Sequence, residues 1–289
     1  MTRHFIDLED ISRDTLHAIL KNAHDLKRQK FSPPQIFDGL SLAMIFDKKS
    51  TRTRLSFEVA MKQLGGHTTV MTLDDMQISG AESIEDTAHI LSRFVDGVMI
   101  RASRHDLLTG LAQYSTIPVI NGLTDHSHPC QIMADLMTIE EKRGSIAGKK
   151  IAWLGDYNNV AHTYVQAAPI FGFELAIATP QKSTHSPAEA VKDADAVVTD
   201  TWVSMGQEGK DIEKFWPYQV TSELMSKAKP GALFMHCMPI HRGEEVTEDV
   251  LKSPACVIYD EAENRLHAQK AILAWCFEQS GVTLNRRTP

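Results

Sequence analysis

No basic run in this sequence is longer than a dipeptide such as Lys27-Arg28, and 30 Lys+Arg stand against 37 Asp+Glu for a formal charge of -7. Without a basic stripe, nucleic acid is not an expected partner. Cysteine is scarce: Cys130, Cys237, Cys256 and Cys276 are widely spaced and form no C-x-x-C pair. That fits reduced thiols in a cytoplasmic protein better than a disulfide framework. The segment Met1 to Asp10 is polar and acidic and lacks the apolar core of a signal peptide. Low-complexity tracts and internal repeats are missing too. With 43% hydrophobic and 23% charged residues, composition suggests neither disorder nor a membrane span. The expectation is a cytoplasmic protein that makes no use of a membrane.

What is present is an alternation of short apolar runs with helical patterns over 289 residues, a length that suits about two domains. Leu16, Ile19, Leu20, Ala23 and Leu26 recur at helical spacing after a cap at Ser12, and Pro33-Pro34 closes that segment. Strands are predicted at Leu42 to Phe46, Val98 to Ile100, Ile117 to Ile120, Ile151 to Leu154, Leu175 to Ala178, Ala196 to Thr199, Ala232 to Met235 and Cys256 to Tyr259. Strands separated by helices are the mark of parallel βαβ units, so the predicted class is α/β with two doubly wound parallel-sheet domains. A long helical stretch closed by Arg143-Gly144-Ser145 puts the domain junction near residue 145, giving domains 1-145 and 146-262. The helical segment from Glu263 to Ser280 can finish the second domain or cross back to the first, and periodicity does not choose.

In open parallel sheets ligands sit beyond the carboxyl ends of the strands, where helix N-termini and loops converge. Polar and ionisable residues occupy every such exit. Ser50-Thr51-Arg52-Thr53-Arg54 follows a strand and opens a helix running toward Gly65-Gly66, with Leu55, Val59 and Leu64 expected on its buried side. Free N-H groups, two hydroxyls and a guanidinium suit a phosphate. A Ser cap followed by solvated arginines fits the same letters. Arg101 adds a cation at the next exit, and by itself such a residue is often only a surface group. Because the net charge repels anions, a phosphorylated ligand would depend on local arginines and backbone N-H groups.

His128-Pro129-Cys130-Gln131 stands where a neutral imidazole could donate to a carbonyl oxygen that gains charge, although a packed histidine is equally in keeping with the pattern. His126, Cys130, His236, Cys237 and His241 raise the question of zinc. Their spacings match none of the common structural zinc patterns, so no metal is expected. Gly155-Asp156-Tyr157-Asn158-Asn159 lacks the later glycines of a dinucleotide fingerprint, which argues against NAD and against a nucleotide-dependent oxidoreductase. Asp200-Thr201-Trp202-Val203-Ser204-Met205-Gly206 offers an anion able to hold a cationic amino acid, or an ordinary Asp cap.

Taken together, these segments resemble the aspartate and ornithine carbamoyltransferase family over nearly the whole chain. The Ser50 to Arg54 and His128-Pro129-x-Gln131 motifs are family hallmarks. Asp200 to Gly206, His236-Cys237-Met238-Pro239 and Glu263-Asn264-Arg265 look like the ornithine branch. The resemblance implies that Ser50, Thr51, Arg52, Thr53, Arg101, His128, Pro129, Cys130, Gln131, Cys237, Met238 and Arg265 bind carbamoyl phosphate, with Gln77 reaching in from a neighbouring subunit. It implies that Asn159, Asp200, Ser204 and Met205 hold ornithine. Arg52, Arg101, His128, Cys237 and Arg265 would be catalytic, no cofactor would be needed, and the assembly would be a homotrimer. The expected reaction is carbamoyl transfer to the ornithine δ-amine, giving citrulline and phosphate, in arginine biosynthesis. The second domain would close on the first substrate, and the last helix, 263-289, would pack back on the first domain.

Three departures stand out. Met238 replaces a Leu, a volume-conserving exchange; Lys49 stands where a Pro often precedes the phosphate motif; and Thr179 to Ser186 is shorter than the family norm by roughly twenty residues, too many for a trimmed loop. Either the second sheet is truncated or residues are missing. Two rival readings remain at this level: a carbamoyltransferase acting on acetylornithine, putrescine or aspartate, against which Ser204-Met205-Gly206 speaks, and a non-catalytic binder of phosphate metabolites, against which Arg52, His128, Cys237 and Arg265 speak.

Overall fold

In the computed structural model, residues 4–79, 82–203, 209 and 211–279 are described. They fall into two compact units, one of residues 1–133 with 265–289 and the other of 134–264.

The first unit is built on a four-stranded parallel sheet of β1 (Ser41–Phe46), β2 (His67–Thr72), β3 (Gly97–Arg101) and β4 (Val119–Leu123), in the order β2-β1-β3-β4. Its helices are α1 (Arg13–Arg28), α2 (Thr51–Gln63), α3 (Ile84–Phe94) and α4 (His105–Tyr114). β1 and β3 read as apolar runs because a parallel sheet is covered on both faces, and β4 is equally covered although Asn121 interrupts its apolar residues. β2 escapes that reading. As an edge strand it alternates exposed and half-covered positions, and His-Thr-Thr-Val-Met-Thr carries no continuous apolar stretch.

In α1 the stripe Leu16, Ile19, Leu20, Ala23 and Leu26 is buried, and Ser12 accepts from the Thr15 N-H at 3.3 Å, as its spacing predicts. In α2 the buried side matches the expected one only at Leu64. Thr53, Phe57, Ala60 and Met61 face inward with Leu64, whereas Leu55 is 58% exposed and Val59 half-buried. The true stripe runs through a hydroxyl, which an apolar pattern passes over.

The second unit repeats the plan with β5 (Lys150–Leu154), β6 (Glu174–Ala178), β7 (Ala196–Thr199) and β8 (Leu233–His236), in the order β6-β5-β7-β8 and all parallel. α5 (Pro129–Arg143) leads into it, followed by α6 (Asn159–Phe171) and the short helices α7 (Pro187–Val191), α8 (Ser222–Met225) and α9 (Glu248–Leu251). The strand expected at Cys256 to Tyr259 does not form. Cys256 makes a single bridge to Phe234, and the backbone turns into α10 (Ile258–Gln279). An apolar run of that length cannot by itself be told from the start of a buried helix.

Over the short Thr179 to Ser186 stretch the chain turns back on itself within a few residues. Thr184 and His185 turn back to the Ile177 carbonyl at 3.0 and 3.3 Å, and the Thr179 N-H donates to the Ser183 hydroxyl at 2.9 Å. Ser186 then opens α7 with a capping box to Glu189. β6 is thereby left as the sheet edge.

From Arg265 onward α10 belongs to the first unit. Phe277 packs edge-on against Phe37, Trp275 meets Phe5, and a Cβ at Gly97 would lie 2.8 Å from the Phe277 ring. Glycine at position 97 is what lets the helix approach β3 so closely.

Candidate active site

Both sheets reverse their winding between the second and third strands of their order: β1 and β3 in one, β5 and β7 in the other. At such a switch point the connections leave in opposite directions and open a crevice above the strand ends. Ser50 follows β1, Arg101 ends β3, Asn158 follows β5 and Asp200 follows β7.

In the first unit Ser50 is extended before α2, and its side chain makes no cap hydrogen bond. The capping alternative for Ser50 therefore does not describe this turn, and the positive end of α2 is left to other acceptors. Thr53 is fully buried by the helix stripe, and two guanidinium groups converge on its hydroxyl oxygen. Arg101, the last residue of β3, donates from Nη1 at 2.9 Å; Arg265 of α10 donates from Nη2 at 2.8 Å. Arg52 is half-buried one position earlier, while Arg54 lies outside, 3.6 Å from Glu58. Two guanidinium groups on a buried hydroxyl at a helix N-terminus concentrate positive charge locally in a chain of net negative charge.

His128 lies just before α5 and is 3% exposed. Burial, and then the charges of Arg265 and Arg101, hold its imidazole well below the usual range, so it is neutral and can act as a donor to an oxygen gaining charge. Its loop is braced by Asn121, which donates to the Ser127 hydroxyl at 2.9 Å and to the Ile6 carbonyl at 3.0 Å. Pro129 begins α5 and Gln131 is fully buried. Cys130 turns its thiol to the Asn121 carbonyl at 3.3 Å, and burial pushes it up to about 12. Its side chain is thus committed to the core. Gln77 sits exposed on a turn after β2.

In the second unit Asp200 follows β7 and is joined by two donors. The Cys237 thiol, after β8, lies 3.0 Å from Oδ1, and the Asn158 amide lies 2.7 Å from Oδ2. Desolvation, then the charge and hydrogen bond of Asp200, push the Cys237 thiol well above its ordinary range, so it is a neutral donor. Asn158 is not singled out by sequence. It is the N-cap of α6, accepting from the Val160 and Ala161 N-H groups at 3.0 and 3.1 Å, while Asn159 is the first helical residue. The available signal is the Asn-Asn pair after a strand, whose order of roles depends on where the helix begins. Ser204 and Met205 lie outside the described residues.

The turn carrying Cys237 and Met238 is held from below. The Met238 N-H donates to His236 Nδ1 at 2.9 Å, which leaves Nε2 as the protonated nitrogen, 3.1 Å from Glu245 Oε1. Glu261 accepts the His236 N-H at 2.8 Å, and Met238 has a positive φ of 60°. Asp200, His236 and Cys237 have donor atoms close enough for a metal ion, but both His236 nitrogens and the thiol already have partners. At Gly155, φ is +104°, and a Cβ would lie 2.9 Å from the Trp202 ring nitrogen. This glycine serves packing at a strand end.

The paired switch-point clusters, one cationic and one carboxylate-centred, on two parallel sheets define an α/β group-transfer scaffold. The chain belongs to the aspartate/ornithine carbamoyltransferase family: residues 3–141 match the carbamoyl-P binding domain and residues 181–276 the Asp/Orn binding domain. It is 52% identical to the ornithine carbamoyltransferase of Brucella ovis, with 97% of each chain covered, and 52% identical to that of Mesorhizobium japonicum, with 95% and 98% covered. Among solved structures, the ornithine carbamoyltransferase of Pyrococcus furiosus superposes with a TM-score of 0.90 at 46% identity, covering 94% of this chain and 96% of the other. That of Burkholderia thailandensis gives 0.88 at 42%, covering 99% and 100%. The Brucella alignment runs over 305 positions, more than the 289 residues of this chain, so the relative carries residues this chain lacks. No described helix is long and apolar enough to cross a membrane.

Proposed function

We propose that this chain transfers the carbamoyl group of carbamoyl phosphate to the δ-amine of L-ornithine, giving citrulline and phosphate, and that it serves arginine biosynthesis. The observation that carries the proposal is the double guanidinium contact on the Thr53 hydroxyl at the start of α2, beside a neutral His128.

In this reading residues 1-145 take carbamoyl phosphate. Ser50 to Thr53 present backbone N-H groups, hydroxyls and the Arg52 guanidinium to the phosphate, while Arg101, His128, Gln131 and Arg265 address the carbamoyl end. Residues 146-262 take ornithine, with Asp200 and Asn159, joined by Asn158, near its cationic groups, and with Ser204 and Met205. The neutral amine attacks the carbonyl carbon, charge gathers on the carbonyl oxygen under the donors, and the carbon–oxygen bond to phosphate breaks. The proton lost by the nitrogen passes to Asp200 or solvent, since the Cys237 thiol is already protonated. Gln77 acts from a neighbouring subunit of a trimer, and the enzyme works in the cytoplasm.

Citrulline formation from carbamoyl phosphate should be measured against ornithine, acetylornithine, putrescine and aspartate. Ornithine is expected to win, and Arg52→Ala to lower kcat/KM by about 100-fold or more, while Arg54→Ala, whose partner is Glu58, changes it little. Preference for putrescine would overturn the acceptor assignment; an unimpaired Arg52→Ala would overturn the phosphate cradle.

A further inference from the structure

Apart from the substrate clusters, the first unit brings together three side chains that sequence spacing never pairs. Asp7, just before the first turn of the chain, His105, the first residue of α4, and His126, in the loop before His128, place one donor atom each within 4.8 Å of one another. Asp7 Oδ2 is 3.4 Å from His105 Nε2 and 4.0 Å from His126 Nε2, and the two imidazole rings lie 4.6 Å apart. Three ligands at bond lengths of about 2.0–2.1 Å in a tetrahedral shell stand roughly 3.3 Å apart. The Asp7 to His105 separation of 3.4 Å already matches that spacing, and the Asp7 to His126 separation of 4.0 Å is close to it.

Asp7 is 6% exposed, and its Oδ1 receives no hydrogen bond. A buried carboxylate oxygen left so is costly unless a cation or a donor completes it. Asp10 and Asp106 add negative potential at His105. On the far side of its ring, His105 Nδ1 lies 2.9 Å from the Thr124 hydroxyl. That contact orients the imidazole with Nε2 toward Asp7, the outer-shell arrangement that metal-bound histidines use. The His126 side chain is 45% exposed, so water can reach an open coordination position.

We propose that Asp7, His105 and His126 form a binding site for a borderline divalent first-row ion of the Zn²⁺ kind, with water completing the shell. Two imidazoles and a carboxylate suit such an ion better than Mg²⁺ or Ca²⁺, which favour all-oxygen shells. The site lies where the segment containing Phe5 pairs with β4: the Phe5 N-H donates to the Val119 carbonyl and the Asn121 N-H returns to the Phe5 carbonyl, at 2.9 and 2.8 Å. A bound ion would tie that segment to the Thr124 to Ser127 loop, the stretch that leads into His128. The proposal is independent of the carbamoyl reaction.

The test is a Co²⁺ titration of the full chain after chelator treatment, read by visible absorption. One ion per chain with the intense d–d bands of a four-coordinate site is expected, together with a rise in melting temperature. His126→Ala and Asp7→Asn should weaken it by about 100-fold or more, and metal-free citrulline formation should be unchanged. Absence of binding, or bands that persist in both variants, would overturn the site. A sulfur-to-cobalt band that disappears with Cys237→Ser would overturn it too, by moving the ion to Cys237. If Asp7→Asn fails to fold, the partly exposed His126→Ala decides the matter, since its ring carries none of the core.

Discussion

Arg265 and Thr53 are 212 positions apart in the chain and meet through a 2.8 Å hydrogen bond in the buried floor of the first unit. Arg101 reaches the same hydroxyl from the end of β3. A neutral oxygen shared by two guanidinium groups holds both in place without cancelling their charge, which stays available to an anion. Thr53→Val keeps the shape and removes the acceptor. Losing hydrogen bonds to charged donors costs about 1.5–3 kcal/mol each, so kcat/KM for carbamoyl phosphate should fall by roughly 10- to 100-fold for each hydrogen bond removed. Steady-state kinetics at saturating ornithine would show it, with circular dichroism confirming the fold.

His128 supplies the pH dependence. Its folded-state affinity for a proton is depressed, whereas the unfolded chain titrates near the ordinary 6.5. Below that value the unfolded state binds the extra proton, so the stabilising contribution is complete above pH 6.5 and is lost as pH falls toward the depressed folded value. Urea unfolding between pH 5 and 8 should therefore show a shallower acid-side loss in His128→Asn than in the parent chain. In catalysis, the same substitution should lower kcat by about 100-fold while leaving any titration above pH 6.5 in place, because the imidazole is already neutral there. A profile whose limb vanished with His128 would contradict this.

Asp200 is the acceptor for both the Cys237 thiol and the Asn158 amide. Asp200→Asn removes the negative charge and places an amide group beside two donors. The expected result is a rise in KM for ornithine of about 10-fold or more, with the KM for carbamoyl phosphate much less affected. The Cys237 thiol should also become easier to ionise, since the neighbouring charge is one cause of its high value. Iodoacetamide labelling of Cys237 against pH reads that shift directly.

All four thiols are held above their ordinary range, Cys130 at about 12, and burial is the leading cause in each case. Thiolate is the reactive form, so the native chain should react slowly with a disulfide reagent at pH 8, and all four should react on denaturation. Cys256, the less enclosed of the group, is expected to lead, with Cys256→Ser removing the fastest phase. Rapid labelling of Cys130 or Cys276 in the native protein would contradict their burial.

Much of the architecture follows from local pattern. Parallel strands covered on both faces must be apolar throughout, so β1, β3, β5 and β7 are legible as runs, and a helix stripe such as Leu16 to Leu26 shows its period. The polar residues at strand exits are legible for the same reason: a strand end is where the pattern breaks. β2 and the Cys256 to Tyr259 stretch defeat such a reading, because an edge strand has little burial and a short apolar run fits either element. The division of roles between Asn158 and Asn159 turns on a single residue at a helix start.

Sequence by itself therefore determined the βαβ grammar, the pentapeptide at Ser50 and the carboxylate at Asp200, because each depends on neighbours within one turn or strand. Only the tertiary structure decided that Arg265 returns to Thr53, that Leu55 faces outward, that the second sheet ends at β6, and that Asp7 meets His105 and His126. Those outcomes depend on how distant segments pack. Backbone periodicity sets the direction in which a side chain leaves its element, and the packed fold alone sets what it meets.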